Sequence, residues 1–344
     1  MNFVFIPVYP VIPVNFSLHI ISMKKELELW RFAAEQLKQN KSVMLLVVAE
    51  SSGSSPGRRG FKMAVAEDEI VGSIGGGVME VRLVEQAKVK RQKAKGKINA
   101  KIIEQVHRGK SLNSSGMICS GKQTVIFFRL DSLHLKTVRK IIRALKNHQS
   151  KVLQISNFKF QISENKQSNF DFRFGRQNEN DFLYEEKLGF KNKLFIVGGG
   201  HCALALSELA SKMDFYITLF DDRPNLNTVA KNEFIHEKII IESYEQIGNF
   251  ILPGANHFVV VMTLGYKFDE IVIRKLIDRD FKYFGVLGSR AKMATLLRDL
   301  RKEGYDKKRL NQIRTPIGLQ INSRTPEEIA VSIAAEIIAV KNKI

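Results

Sequence analysis

Apolar positions along the chain recur with two different spacings, and the change between them predicts its elements. Leu27, Leu29, Trp30, Ala33, Ala34 and Leu37 fall at near-helical spacing between Glu26 and Gln39. Ser42–Ala49 (SVMLLVVA) is a continuous β run, followed by the small, basic loop Ser51–Gly60. Short strand patterns at Phe61–Ala66 and Glu69–Gly72 lead through a glycine loop, Gly72–Gly77, into a helix from Val78 to Lys93. Strand patterns return at Ala100–Val106 and Gln123–Phe128, on either side of a loop containing Cys119, and a helix follows over Leu135–Lys146. The polar stretch Ser156–Glu186 reads as short antiparallel strands and loops rather than core. From Lys193 onward β and α patterns alternate, with strands at Leu194–Val197, Phe215–Phe220, His257–Thr263 and Tyr283–Leu287 and helices at 203–213, 267–279 and 289–302. Such alternation predicts a parallel, doubly wound sheet. Thr325-Pro326-Glu327-Glu328 supplies an N-cap, a proline at the first helical position and a capping-box carboxylate for a last helix.

These patterns divide the chain between Tyr184 and Asn192, giving an N-terminal α+β domain over 23–188 and a C-terminal Rossmann-like domain over 189–344. Met1–Ser22 is apolar and broken by three prolines, with no basic residue before its apolar stretch. It suits neither a spanning helix nor a signal peptide. Met23 is the expected natural start, with 1–22 an upstream or disordered extension. No other segment is long and apolar enough to cross a membrane.

Composition narrows the classes further. Across 344 residues the hydrophobic content is 44%, ordinary for a folded chain. The two cysteines, Cys119 and Cys202, have no paired spacing, which excludes a disulfide framework and points to the cytoplasm. The net charge of +19 is scattered, and runs such as Lys88–Lys97 lack interleaved aromatics. A solvated basic surface is therefore expected rather than a nucleic-acid site.

The candidate chemistry lies in the glycine turns. Gly198-Gly199-Gly200-His201 follows one strand and opens a helix, and Asp221 ends the next strand, 23 residues after Gly198. In that arrangement backbone N–H groups at a helix N-terminus receive a phosphate and the carboxylate meets a ribose hydroxyl. His201 either donates to the ligand or caps the turn. Asp222 and Arg223 are placed to pair with one another, while Ser289 and Arg290 begin a helix able to reach the same ligand. In the first domain, Gly75, Gly76 and Gly77 before a helix form a second candidate anion site. Arg58 and Arg59 offer guanidinium forks in a small-residue loop. Cys202, at a helix start, reads as packing. The seven histidines show no metal-ligand spacing, and no Gly-x-Ser-x-Gly or Walker sequence is present.

Several of these motifs, in order, resemble the XdhC/CoxI family of molybdenum-enzyme maturation factors. They are Ser54-Ser55-Pro56-Gly57-Arg58-Arg59-Gly60, Gly72-Ser73-Ile74-Gly75-Gly76-Gly77-Val78-Met79-Glu80 and Gly116-Met117-Ile118-Cys119-Ser120-Gly121. The second half adds Gly198–His201, Asp221-Asp222-Arg223-Pro224, Gly285–Arg290, Thr315–Leu319 and Thr325–Ala330. The resemblance implies an accessory protein that binds molybdenum cofactor (molybdopterin), supports its sulfuration by a cysteine desulfurase and hands it to an apo molybdenum hydroxylase such as xanthine dehydrogenase. A homodimer is expected. Cys119 is then the candidate contact to molybdenum or to a persulfide donor. Ser55, Arg58, Arg59, Gly75–Gly77 and Glu80 are candidate cofactor contacts, with Glu80 accepting from pterin N–H groups or stabilising its own helix. Many members carry a histidine after the strand ending at Thr263; here Leu264-Gly265-Tyr266 follows, so only Thr263 and Asp269 carry over. The alternative is an NAD(P)-dependent oxidoreductase using the second domain, although no hydride-acceptor pocket is recognisable.

Overall fold

A computed structural model describes residues 21–93, 100–106, 121–164, 170–178 and 181–343. Two units emerge, one of residues 23–189 and one containing residues 190–344. In the first, helix α1 (Ile21–Lys38) buries Leu29, Trp30, Ala33 and Leu37, the face its spacing predicts. The chain continues through β1 (Val43–Gly53), β2 (Lys62–Val65), β3 (Ile70–Gly72), α2 (Gly77–Lys93), β4 (Ala100–Val106) and β5 (Gly121–Leu130). Those strands make an antiparallel sheet in the order β3-β2-β1-β5-β4. Val43 to Ala49 are all buried because both faces of the sheet are covered. Leu83 and Ala87 of α2 pack on Met44, Leu46, Val125 and Phe127. On the other side Phe160 lies 6.0 Å from Trp30 and 5.2 Å from Phe128 between ring centroids.

After α3 (Leu135–Lys146) come β6 (Lys151–Ser156), β7 (Phe160–Glu164), β8 (Phe172–Asn178) and β9 (Asp181–Leu188). They form a second antiparallel sheet, β7-β6-β9-β8. This corrects the expectation that Ser156–Glu186 carries no core: Phe160, Phe182 and Tyr184 are buried. The stretch looks polar because its buried carboxylate is paired. Glu186 meets the Lys62 ammonium at 2.7 Å and accepts from the Tyr184 hydroxyl at 3.0 Å, while Glu26 reaches the same ammonium at 2.9 Å. One buried lysine thus ties α1, β2 and β9 together.

The second unit runs β10 (Asn192–Val197), α4 (His201–Ser211), β11 (Phe215–Asp221), α5 (Asn227–Ala230), β12 (Glu237–Ile240), α6 (Ile247–Phe250), β13 (Gly254–Val261), α7 (Tyr266–Leu276), β14 (Phe281–Val286), α8 (Arg290–Lys302), α9 (Lys307–Leu310) and α10 (Pro326–Lys341). Its five strands are parallel, in the order β12-β11-β10-β13-β14. Alternate residues of β10 face opposite cores. Leu194 and Ile196 pack with residues of α4 and α10, and Phe195 and Val197 with those of α7 and α8. Burial on both faces is what makes each strand read as a continuous apolar run. Strand order reverses between β10 and β13, and in open α/β sheets ligands bind outside the carboxyl ends of the strands at such a point. Thr325 caps α10 and completes the predicted box with Glu328.

Candidate functional site

In the first unit three motif segments meet at the end of β1 and the start of β5. At Gly57 an added Cβ would lie 2.1 Å from the Ile74 carbonyl oxygen, so glycine here lets the two loops touch backbone to backbone. Gln123 bridges them, its amide donating to the Ile74 carbonyl at 3.0 Å and its oxygen accepting from the Ser55 hydroxyl at 3.0 Å. Ser55 is buried, so its hydroxyl is an internal tie rather than a free ligand contact. Sequence reasoning missed Gln123. Its signal is parity: it shares a strand face with Val125 and Phe127, which are core.

The Gly75–Gly77 loop differs from the open anion site expected of it. The Ile74 and Gly76 N–H groups donate to a Glu80 oxygen at 2.8 and 2.9 Å, and the Ser73 hydroxyl donates to it at 2.7 Å. Burial opposes charge on this carboxyl, but the Ser73 hydroxyl and the backbone donors outweigh it and hold it below the usual range. Glu80 is thus the anion its own loop binds. Arg58 and Arg59 remain exposed. Arg58 donates to the Gly53 carbonyl at 3.4 Å and Arg59 approaches Glu50 at 3.9 Å, which among the described residues leaves most of their N–H donors uncommitted. Cys119 lies outside the described residues. Gly121, two positions after it, sits where an added Cβ would be 2.6 Å from the Ser55 nitrogen.

In the second unit Gly198, Gly199, Gly200, His201, Asp221, Asp222, Thr263, Ser289 and Arg290 all lie at the carboxyl end of the parallel sheet or just beyond it. Gly198 has φ 103° and an added Cβ would be 2.3 Å from the Met262 carbonyl oxygen, so the tips of β10 and β13 close on each other. Gly200 is the N-cap of α4 with no side-chain cap, and a Cβ there would meet nothing within 4 Å. That leaves the helix start open, with His201 exposed beside it.

Asp221 departs from the ribose-binding expectation. Its carboxylate is buried and accepts from the Gly199 N–H at 2.6 Å, the Arg223 N–H at 2.9 Å and the Arg223 guanidinium at 2.8 Å on both oxygens. Desolvation opposes its charge, yet Arg223 and the two N–H groups hold the carboxyl below its ordinary value. It therefore braces the glycine turn against the strand tip. The carboxylate left at that tip is Asp222, half-buried and 3.8 Å from Arg223, so the main partner of Arg223 is Asp221 and not Asp222. The Tyr244 hydroxyl, missed by sequence reasoning, is buried beside both carboxylates, and burial, then the charges of Asp221 and Asp222, push it well above the ordinary tyrosine value.

Thr263 donates to Asp269 from its N–H at 3.2 Å and its hydroxyl at 2.7 Å. Burial pushes the Asp269 carboxyl up to about 6, Thr263 pulling the other way. Ser289 caps α8 by accepting from the Lys292 N–H at 3.4 Å, and Arg290 is exposed. Cys202 is half-buried, and burial followed by the Glu327 charge raises its thiol, in keeping with a packing role. Among the described residues no three His, Cys, Asp or Glu gather as a metal site, and no helix is long and apolar enough to cross a membrane.

Comparison with known proteins adds to this geometry. Residues 36–97 match a family model described as the XdhC and CoxI family, and residues 194–337 match one described as the XdhC Rossmann domain. The chain is 24% identical over 317 residues to the uncharacterized protein YqeB of Escherichia coli K12, covering 90% of this chain and 46% of that one. It is 27% identical over 163 residues to a protein of Bacillus subtilis 168 named as a probable subunit of xanthine dehydrogenase, covering 47% of each. It therefore spans about half the length of these curated relatives. A crystal structure from Bacillus halodurans, described as a xanthine dehydrogenase, shares the fold with a TM-score of 0.66 at 22% identity, over 92% of this chain and 96% of that one.

Proposed function

Because the chain belongs to the XdhC/CoxI family, we propose that it is a maturation factor for a xanthine dehydrogenase-type molybdenum hydroxylase. On this reading it binds molybdenum cofactor as cargo, holds it while a cysteine desulfurase supplies sulfur, and passes it to the apoenzyme. We place this work in the cytoplasm and assign it to a homodimer. The observation that carries the reading is the meeting of the Ser54–Gly60, Gly72–Gly77 and Gly121–Gln123 segments, with the exposed Arg58 and Arg59 beside them. Planar guanidinium forks match the phosphate and carbonyl oxygens of a pterin cofactor. In this role Arg58 and Arg59 bind and orient, while Ser55, Gln123 and Glu80 keep the loops in place. Cys119, close to Gly121 along the chain, is assigned the sulfur or molybdenum contact. The open Gly200 cap and Asp222 support a nucleotide moiety at the second unit. That moiety is NAD(P), another nucleotide, or the nucleotide part of the cofactor.

The deciding experiment mixes cofactor-loaded protein with apo hydroxylase and follows xanthine oxidation. Stoichiometric activation is expected, lost in Cys119→Ala and accompanied by poor cofactor retention in Arg59→Ala, with both variants folded by circular dichroism. Retention of cofactor by both variants at the parental level refutes the placement. Repeated turnover of a reduced nicotinamide without any effect on apoenzyme favours the oxidoreductase instead.

A further inference from the structure

Strand β4 ends its sheet, with β5 on one side and no strand on the other among the described residues. An edge of this kind presents a row of unpaired backbone N–H and C=O groups. A cavity of about 750 Å³ runs beside it, bounded by Gln86 and Lys90 of α2, residues 101–104 of β4, and the Arg176 end of β8. Lys101 and Ile103 share a face with Phe127, and the Lys90 ammonium lies 5.0 Å from the Phe127 ring centroid. Glu104 points to the opposite face, where Arg176 pairs with it. The cavity is therefore a groove with cations along both walls.

Its charge is unbalanced. Glu104 is shared between Arg176 and Lys122, the latter at 3.2 Å. Neither Lys90 nor Lys101 has a carboxylate partner among the described residues, so three lining cations, Lys90, Lys101 and Arg176, face one carboxylate. Burial, then the neighbouring Lys101, works against charge on Lys90. A single lysine on an edge strand commonly serves only to repel other edges. It does not explain a lined cavity with cations on both flanks.

We propose that this edge is a docking groove for an acidic, extended segment of a partner protein, which adds to the sheet alongside β4. Main-chain pairing would supply affinity, and Asp or Glu side chains facing Lys90, Lys101 and Arg176 would supply selectivity. The inference stands independently of the cofactor site. The test uses the full chain and fluorescein-labelled peptides that alternate Glu with Val or Lys with Val, read by fluorescence anisotropy. The Glu peptide binds, more weakly as salt rises, and the Lys peptide does not. Lys90→Glu/Lys101→Glu, with the parental circular dichroism spectrum, binds the Glu peptide about tenfold more weakly. Methylation of alternate peptide amides costs a similar factor. Unchanged binding in the double variant, or by the methylated peptide, overturns the proposal. So does a chain that binds inorganic pyrophosphate but neither peptide.

Discussion

Asp221 and Asp269 both lie near the carboxyl end of the parallel sheet, yet their surroundings move them in opposite directions. Asp221 is below its ordinary value when folded, so its contribution to stability is fully present above the usual carboxylate range and is lost as pH falls through the folded value. Asp221→Asn is expected to lower the unfolding free energy at pH 7 by about 2 kcal/mol in urea titrations, the scale of hydrogen bonds to a charged group. The variant should also lose less than the parent below about pH 4. Asp269 has the reverse sign. Its folded value near 6 exceeds the ordinary value of about 3.9, so the folded state keeps a proton that the unfolded chain has released. Stability from this group declines as pH rises between those two values. Asp269→Asn keeps an oxygen for Thr263 and should be more stable than the parent above pH 6, by about 1 kcal/mol or more. Parallel stability curves for parent and variant from pH 4 to 7 would contradict this account. The sequence shows both carboxylates but not these environments, because Arg223 folds back on Asp221 only once the strand tip has formed.

Elements with a strong period were legible. Leu135–Lys146 forms the helix its spacing predicts, and Thr325 and Glu328 make the expected box. The fifth parallel strand, β12, was not legible because it has four residues, all half-buried, at the sheet edge. The second sheet was underestimated because hydropathy counts Glu186 as surface, whereas a buried lysine pairs with it. The meeting of the loops in the first unit was implied only by the ordered motifs, since contact between Gly57 and Ile74 has no period. That contact can be tested directly. Gly57→Ala would force a methyl group to within 2.1 Å of a backbone oxygen, so the loops must separate. A loss of about 2 kcal/mol is expected, typical of overpacking. Cofactor retention should fall with it. Full parental stability and retention would mean that the loop contact is dispensable.

At the scale of the molecule, each unit carries a core of its own. In the second, the clusters on the two faces of the parallel sheet draw all their members from residues 194–340. The first unit has its own apolar cluster around α2 and β1. Family membership was readable from ordered motifs, whereas composition spoke only to solubility and charge; no residue count distinguishes molybdenum cofactor from another anionic ligand. The completeness of the second core leads to the final expectation. A fragment of residues 190–344 should unfold in a single cooperative urea transition, since both faces of its sheet are covered by its own helices. If Gly200 and Asp222 hold the nucleotide, calorimetry with NAD, NADP, FAD, ATP and CTP should give this fragment the same preferred ligand and affinity as the full chain. A folded fragment that binds none of them, beside a full chain that binds one, would show that the nucleotide needs residues from the first unit.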